Sequence, residues 1–225
     1  MLHSLTKLTI AIDGPSGAGK GTVARAVAAA LGYRHVDSGA MYRAVGWKAQ
    51  HDGVPLDRED WVARLAQESA IDVTGGRVTI DGHDVTRDIR TPAIDRAAAA
   101  VARLPKVRSV LVARQRAMRD DRGIVMEGRD IGTVVFPDAD VKIYLDASAE
   151  ERARRRASDP AHSGVPAAVA DVAIMLTERD RSDRTRSASP LYAAVDAIVV
   201  DTTDRSIDDV VQEVLGLVKT KMAKG

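Results

Sequence analysis

At 225 residues the chain is long enough for one good-sized domain with its own core and a small insert. A formal net charge of +1 argues against a surface made for nucleic acid or acidic membrane, and aromatics at 3% leave Ala, Val, Ile and Leu to build the core. The absence of cysteine excludes disulfides, thiolate metal sites and thiol nucleophiles, and fits a reducing cytoplasm. Of the 33 basic residues 25 are Arg, whose planar forks suit phosphate oxygens, although such Arg-rich and Ala-rich usage equally reflects genome composition.

The opening MLHSLTKLTIAID runs into an apolar strand at residues 8–12 without a signal-peptide layout. No stretch approaches the roughly 20 apolar residues of a membrane span, so a soluble cytoplasmic protein is expected. Residues 14–21 read as a glycine-rich turn, 22–31 as an alanine-rich helix ended by Gly32, 33–36 as a second strand and 39–50 as a helix. Residues 71–85 (IDVTGGRVTIDGHDV) set β-branched residues around Gly75-Gly76 and Asp81-Gly82, which predicts a small antiparallel insert. Helices follow at 92–102 and 106–120, strands at 123–126 and 141–145, helices at 149–157 and 166–181, a strand at 198–200 and a helix at 207–222. Residues 158–164 interrupt two Arg-bearing helices. Alternating β and α elements imply a five-stranded parallel sheet flanked by helices.

The segment Gly14-Pro15-Ser16-Gly17-Ala18-Gly19-Lys20-Gly21-Thr22 lies between a predicted strand and a predicted helix. Phosphates need several N–H donors converging on one small anion. Glycines let the backbone curl that tightly, and the helix N-terminus adds partial positive charge. Lys20 is then placed to reach the β- and γ-phosphates of a nucleotide. Gly21 occupies the position where the P-loop pattern has a hydroxyl, so Thr22, one residue later, is the candidate side chain near Mg²⁺.

The GKGT ending resembles the nucleoside monophosphate kinases, and further segments resemble the bacterial cytidylate kinases among them. Residues 37–43 (DSGAMYR) look like that family's DSGAxYR. Residues 88–91 (DIRT) resemble the end of its β insert and residues 105–108 (PKVR) its PxVR segment. Residues 128–139 (GRDIGTVVFPDA) are similar to its GRDxGTVVFPDA, and residues 178–191 to its late lid region. The resemblance covers residues 8–218. It implies γ-phosphate transfer from ATP to CMP or dCMP, with Mg²⁺ as cofactor, ATP and CMP/dCMP as small-molecule partners, and a monomer.

Carried over by position, the resemblance gives the phosphate loop from Gly14 to Thr22 and Arg152 to ATP. It gives Ser38, Tyr42, Arg43, Arg108, Arg129, Asp130, Arg179, Asp183 and Arg186 to the acceptor. Lys20, Arg129, Arg156, Arg179 and Arg186 become the charge that steadies the migrating phosphoryl group. The residues agree on their own terms. Arg43 is expected on a helix five residues beyond Ser38, within reach of an acceptor phosphate. Arg129 and Asp130 follow a strand end, where ligands gather in parallel sheets, and could offer a cationic fork and an acceptor for an amino group. Arg179, Asp183 and Arg186 are spaced i, i+4, i+7, one face of a helix. Arg152 and Arg156 share another face, while Glu150 and Glu151 could pair with Arg154 and Arg155 at the surface.

Two positions depart from the family pattern. Ala99 stands where many relatives carry a serine near the base, and Glu127 where some carry Asp. Phosphoryl transfer must also exclude water, which predicts a lid. The chain is therefore divided as one P-loop kinase domain, 1–225. Its core is 8–60, 104–157 and 187–222, its β insert with the following helix 61–103, and its lid 158–186. His3, His35, His51, His83 and His162 show no metal-ligand spacing.

Overall fold

The structure, a computed structural model, describes residues 7–159 and 168–223. Five parallel strands form the main sheet: β1 (Thr9–Asp13), β2 (Arg34–Asp37), β6 (Ile124–Gly128), β7 (Val141–Asp146) and β8 (Ile198–Asp201), in the order β2-β6-β1-β7-β8. Alternate side chains enter opposite cores. Ile10, Ile12, Val125, Ile143 and Leu145 pack under α1 (Lys20–Leu31) and α8 (Ile207–Met222). Ala11, Val36, Ile124 and Met126 face the other way, toward α2 (Ser38–His51), α3 (Glu59–Glu68), α4 (Pro92–Val101) and α5 (Pro105–Ala117). Each buried aliphatic side chain contributes about 1.5–3 kcal/mol, which is how a chain with so few aromatics holds its core.

The insert is a three-stranded antiparallel sheet of β3 (Ile71–Asp72), β4 (Thr79–Ile80) and β5 (His83–Asp84). Its second turn is the two residues Asp81 (φ 49°) and Gly82 (φ 81°), the left-handed pair that a tight hairpin demands. Thr91 caps α4 by accepting from Ile94 N, and Pro92 opens it without losing a hydrogen bond.

The remaining helices are α6 (Ala149–Ala157) and α7 (Val169–Thr185), which pack together through Ala153, Val172 and Leu176. The five strands and the insert stand where the sequence puts them. The differences are local. Helix α3 is not expected from the sequence and straddles the boundary drawn between residues 60 and 61. Helix α5 stops at Ala117, short of 120, and α7 continues to Thr185 rather than 181. The expected helix start at 166–167 and most of the irregular stretch 158–164 lie outside the described residues, as do His3 and His162. A π turn, Ile131–Val135, follows β6 where the sequence reads only as a motif. Among the described residues no helix is long and apolar enough to cross a membrane.

Candidate active site

The register of the parallel strands brings their carboxyl ends level: Asp13 lies opposite Gly128 and Tyr144, and Asp37 opposite Glu127. The glycine-rich loop leaves β1 at this rim. Gly14 has φ 147°, and a Cβ there would sit 2.0 Å from Leu145 O, so no side chain fits. Helix α1 starts at Lys20 with Gly19 as its cap and no capping side chain, leaving its first N–H groups directed at the loop's hollow. Lys20 is buried and its Nζ donates to Pro15 O at 2.6 Å. Burial, with Arg129 nearby, pushes its pKa down to about 7.

Beneath the loop, Asp13 accepts from Ile131 N at 2.8 Å and Gly132 N at 2.7 Å. Burial pushes its carboxyl up to about 6 in spite of those two bonds. The π turn held in this way fixes the preceding Arg129 and Asp130. Asp130 forms a buried ion pair with Arg108 and lies 3.7 Å from Arg186 Nη2. Arg129 Nε donates to Asp183 Oδ2 at 3.0 Å. Burial works to raise the Asp183 carboxyl, but Arg129, Arg179 and Arg186 together hold it below the usual range. Tyr42 lies 5.4 Å from the Arg108 guanidinium at ring centre, and burial pushes its hydroxyl up to about 12. Ser38 Oγ donates to Glu127 O at 2.7 Å.

These side chains surround one cleft of about 440 Å³. Ser38, Tyr42, Arg43, Arg108, Arg129, Asp130, Arg179, Asp183 and Arg186 all line it, as do Lys20, Thr22 and Arg156. Ala99 lines it too. Three buried N–H positions in this set, Arg108 Nε, Arg179 Nε and Arg186 Nη2, have no hydrogen-bond partner among the described residues. An unpaired buried donor costs about 1–3 kcal/mol, so three together suit a ligand that supplies the acceptors.

The helix-face argument holds for Arg179 and Asp183 but not for Arg186. That residue is the first beyond α7, with an extended ψ of 142°, and reaches the cleft from the chain's exit. Arg152 does not line the cleft. Its Nη1 donates to Ser16 O at 3.1 Å, its Nε to Ala147 O, and Asp180 Oδ2 lies 2.5 Å away, so it braces the loop from behind. Glu151 pairs with both Arg154 and Arg155, but it is itself buried, and Arg155 also donates to Thr202, so this is not the surface pairing that the sequence suggests.

Sequence reasoning passes over several residues. Arg25 and Arg90 line the main cleft, and a second cavity of about 390 Å³ beside the loop is lined by Arg155, Thr202, Arg205 and Ile207. Arg155 follows three residues after Arg152, a spacing that points at the same turn of helix. Asp95 pairs with Arg43 and Arg156, and nothing in its first-turn position on α4 marks it.

The chain matches the family model described as cytidylate kinase over residues 10–220. It belongs to the cytidylate kinase family. A cytidylate kinase of Pelotomaculum thermopropionicum is 49% identical over 214 residues, 93% of this chain and 95% of that one. Another, of Desulfitobacterium hafniense, is 45% identical over 221 residues, 97% and 95% of the two chains. A gluconokinase structure from Sinorhizobium meliloti shares the fold, with a TM-score of 0.50 at 15% identity over 97% of this chain and 93% of that chain. Within this member of the cytidylate kinase family, Ala99 opens onto the cleft itself, so the missing hydroxyl is a difference at the lining and not behind it.

Proposed function

We propose that this chain transfers the γ-phosphate of ATP to CMP, and to dCMP, yielding CDP or dCDP and ADP. The observation that carries the reading is that one cleft is lined both by the phosphate loop and by a buried carboxylate, Asp130, set between two arginines. The family supports the same reaction.

In this reading the α1 N-terminus and the loop N–H groups cradle the triphosphate, and Lys20 turns from Pro15 O to the β- and γ-phosphates. Arg43 and Arg179 hold the acceptor's phosphate. Asp130, with Arg108 and Arg186, meets the base edge, and Asp183 the sugar hydroxyls. Arg129 and Arg156 complete the positive lining around the migrating group. Two polyanions at 4 Å repel by roughly 4 kcal/mol per pair of unit charges at a surface-like dielectric, so a fixed cationic cleft does most of the catalytic work. The acceptor is itself a phosphate anion, and no general base is required. The second cavity, with Arg155 and Arg205, is placed for the donor's base.

Magnesium travels with the triphosphate. The donor set fits it: the Glu127 carboxylate comes within 3.1 Å of where a Gly21 Cβ would stand, and Thr22 is exposed in the cleft. Glycine at that position thus makes room for a carboxylate where other P-loops place a hydroxyl. An ion there would be held chiefly by phosphate oxygens and water, with Glu127 and Thr22 beside it. Bound there, the ion would supply positive charge to the triphosphate.

Residues 158–186 act as the lid, and the enzyme works as a cytoplasmic monomer; sedimentation at assay concentration checks its oligomeric state. The deciding experiment is ADP release by a coupled assay with Mg-ATP and CMP, dCMP, UMP, AMP, GMP or shikimate. CMP and dCMP should stimulate strongly. If no acceptor raised the rate above basal hydrolysis, the kinase reading would fall.

A further inference from the structure

Asp95 stands where three arginines meet. Its Oδ1 accepts from Arg43 Nε at 3.0 Å and lies 3.6 Å from Arg179 Nη1, and its Oδ2 pairs with Arg156 Nη2. The guanidinia come from three elements, α2, α7 and α6, and the carboxylate from a fourth, the first turn of α4 beyond the insert. None of the four side chains is more than 21% exposed, and all three arginines line the main cleft. A carboxylate held in this way offers its oxygens to donors arriving from three directions, as the oxygens of a phosphate monoester would.

We propose that in the nucleotide-free protein the Asp95 carboxylate stands in for the acceptor's phosphate, as an internal competitor that the phosphate of CMP displaces from Arg43 and Arg179. The inference deepens the function proposed above and rests on its assignment of those two arginines to the acceptor.

Charge explains why a stand-in is useful. Three guanidinia drawn together out of water repel one another and lose hydration. Burial, with Arg129 and Arg43 close by, pushes Arg179 down to about 10, and burial likewise lowers Arg156. Asp95 offsets one positive charge and is a carboxylate in contact with all three, while Asp37 acts on Arg43, Asp159 on Arg156 and Asp183 on Arg179 besides. A phosphate monoester dianion offsets two, so exchange favours the substrate without making the empty site unstable. The same exchange run backwards helps product leave, because Asp95 returns as the phosphate departs. An acidic residue in a first helical turn also gains from the helix dipole. That role needs no contact with three arginines across a cleft. Asp95 acts through those arginines and touches no reacting atom, which makes it a positioning residue.

The test replaces the carboxylate with neutral side chains, Asp95→Asn and Asp95→Ser, and measures KM for CMP, KM for ATP, kcat and the inhibition constant of inorganic phosphate against CMP. Both variants should lower KM for CMP and the phosphate inhibition constant by about fivefold or more, lower KM for ATP by less, since Arg156 is released as well, and not raise kcat. Thermal melts accompany the assays, and the serine variant retains a polar first-turn side chain should the amide disturb α4. An unchanged or raised KM for CMP in folded variants overturns the proposal, because Asp95 would then merely order the arginines. Arg43→Ala separates the two levels. If it leaves KM for CMP unchanged, the acceptor assignment itself fails. If it raises that KM while the Asp95 variants do not lower it, the stand-in role alone fails.

Discussion

Asp130→Ala tests the charge logic of the cleft. The Asp130 carboxylate pairs with Arg108, whose side chain is only 3% exposed, so its loss leaves that guanidinium without a carboxylate partner, while Arg186 keeps Asp183 at 3.7 Å. Removing one partner of a buried pair costs about 3–5 kcal/mol. For a chain of this length each kcal/mol lowers Tm by about 2–4 °C, which gives a fall of about 6–20 °C. Arg108→Met/Asp130→Ala leaves an apolar contact in place of the pair and should regain about 2 kcal/mol relative to the sum of the single losses. The assay is urea unfolding of all four proteins of the cycle without nucleotide, since bound ligand would mask the loss. KM for CMP should rise about tenfold or more in Asp130→Ala, with KM for ATP little changed. A variant within about 1 kcal/mol of the parent, or single losses that simply add, would refute the reasoning.

Lys20→Ala should cut turnover by about 10²-fold or more with the fold intact, and near-normal turnover would remove the lysine from the mechanism. Because Lys20 sits at about 7 in the free protein against an ordinary 10.5, ATP binding restores its ammonium and takes up a proton above pH 7. Affinity should weaken by up to about tenfold per pH unit there, and calorimetry at pH 8 in buffers of different ionisation enthalpy must show the uptake. The same depression makes the nucleotide-free fold gain stability as pH rises from 7 toward 10.5, where the unfolded chain still holds a proton that the native one has lost. Ala99→Ser should favour CMP over UMP by about fivefold through one added hydrogen bond, about 1 kcal/mol; an unchanged ratio would mean the hydroxyl does not reach the base.

The parallel core and the phosphate loop are legible because their signals are local. Residues 8–12 announce a buried strand by composition, and the glycines from Gly14 to Gly21 announce a turn that only a small ligand explains. The insert is legible for the same reason: Asp81-Gly82 specifies a tight hairpin within its own two residues. Helix α3 is plainly amphipathic, with Val62, Ala63 and Ala66 buried along one side and Glu59 and Asp60 in its first turn, so its pattern is present in the sequence; what it lacks is a capping residue to mark its start, where Arg58 stands. The π turn is written in β-branched residues that favour no helix. It exists because Asp13, 118 residues away, takes the N–H of Ile131. Asp95 is the clearest case of a site residue without local signal. A first-turn acid is ordinary, and what distinguishes it is the arrival of arginines from 43, 156 and 179. Spacing likewise places Arg152 beside Arg156 but cannot say that one turns inward to brace Ser16 while the other turns to the cleft.

Asp13 has only two carboxylate oxygens, and both are committed to the turn that bears Arg129 and Asp130. The next residue, Gly14, is wedged against Leu145 O. The glycine-rich loop and the turn that bears Arg129 and Asp130 are therefore referred to a single point at the end of the central strand, like two marks cut on one ruler. Their separation is set when the chain folds, before either nucleotide arrives. In the reaction proposed above, Arg179, Asp183 and Arg186 are the part of the acceptor site that a closing lid would still bring in, against a loop and a turn already held by the sheet.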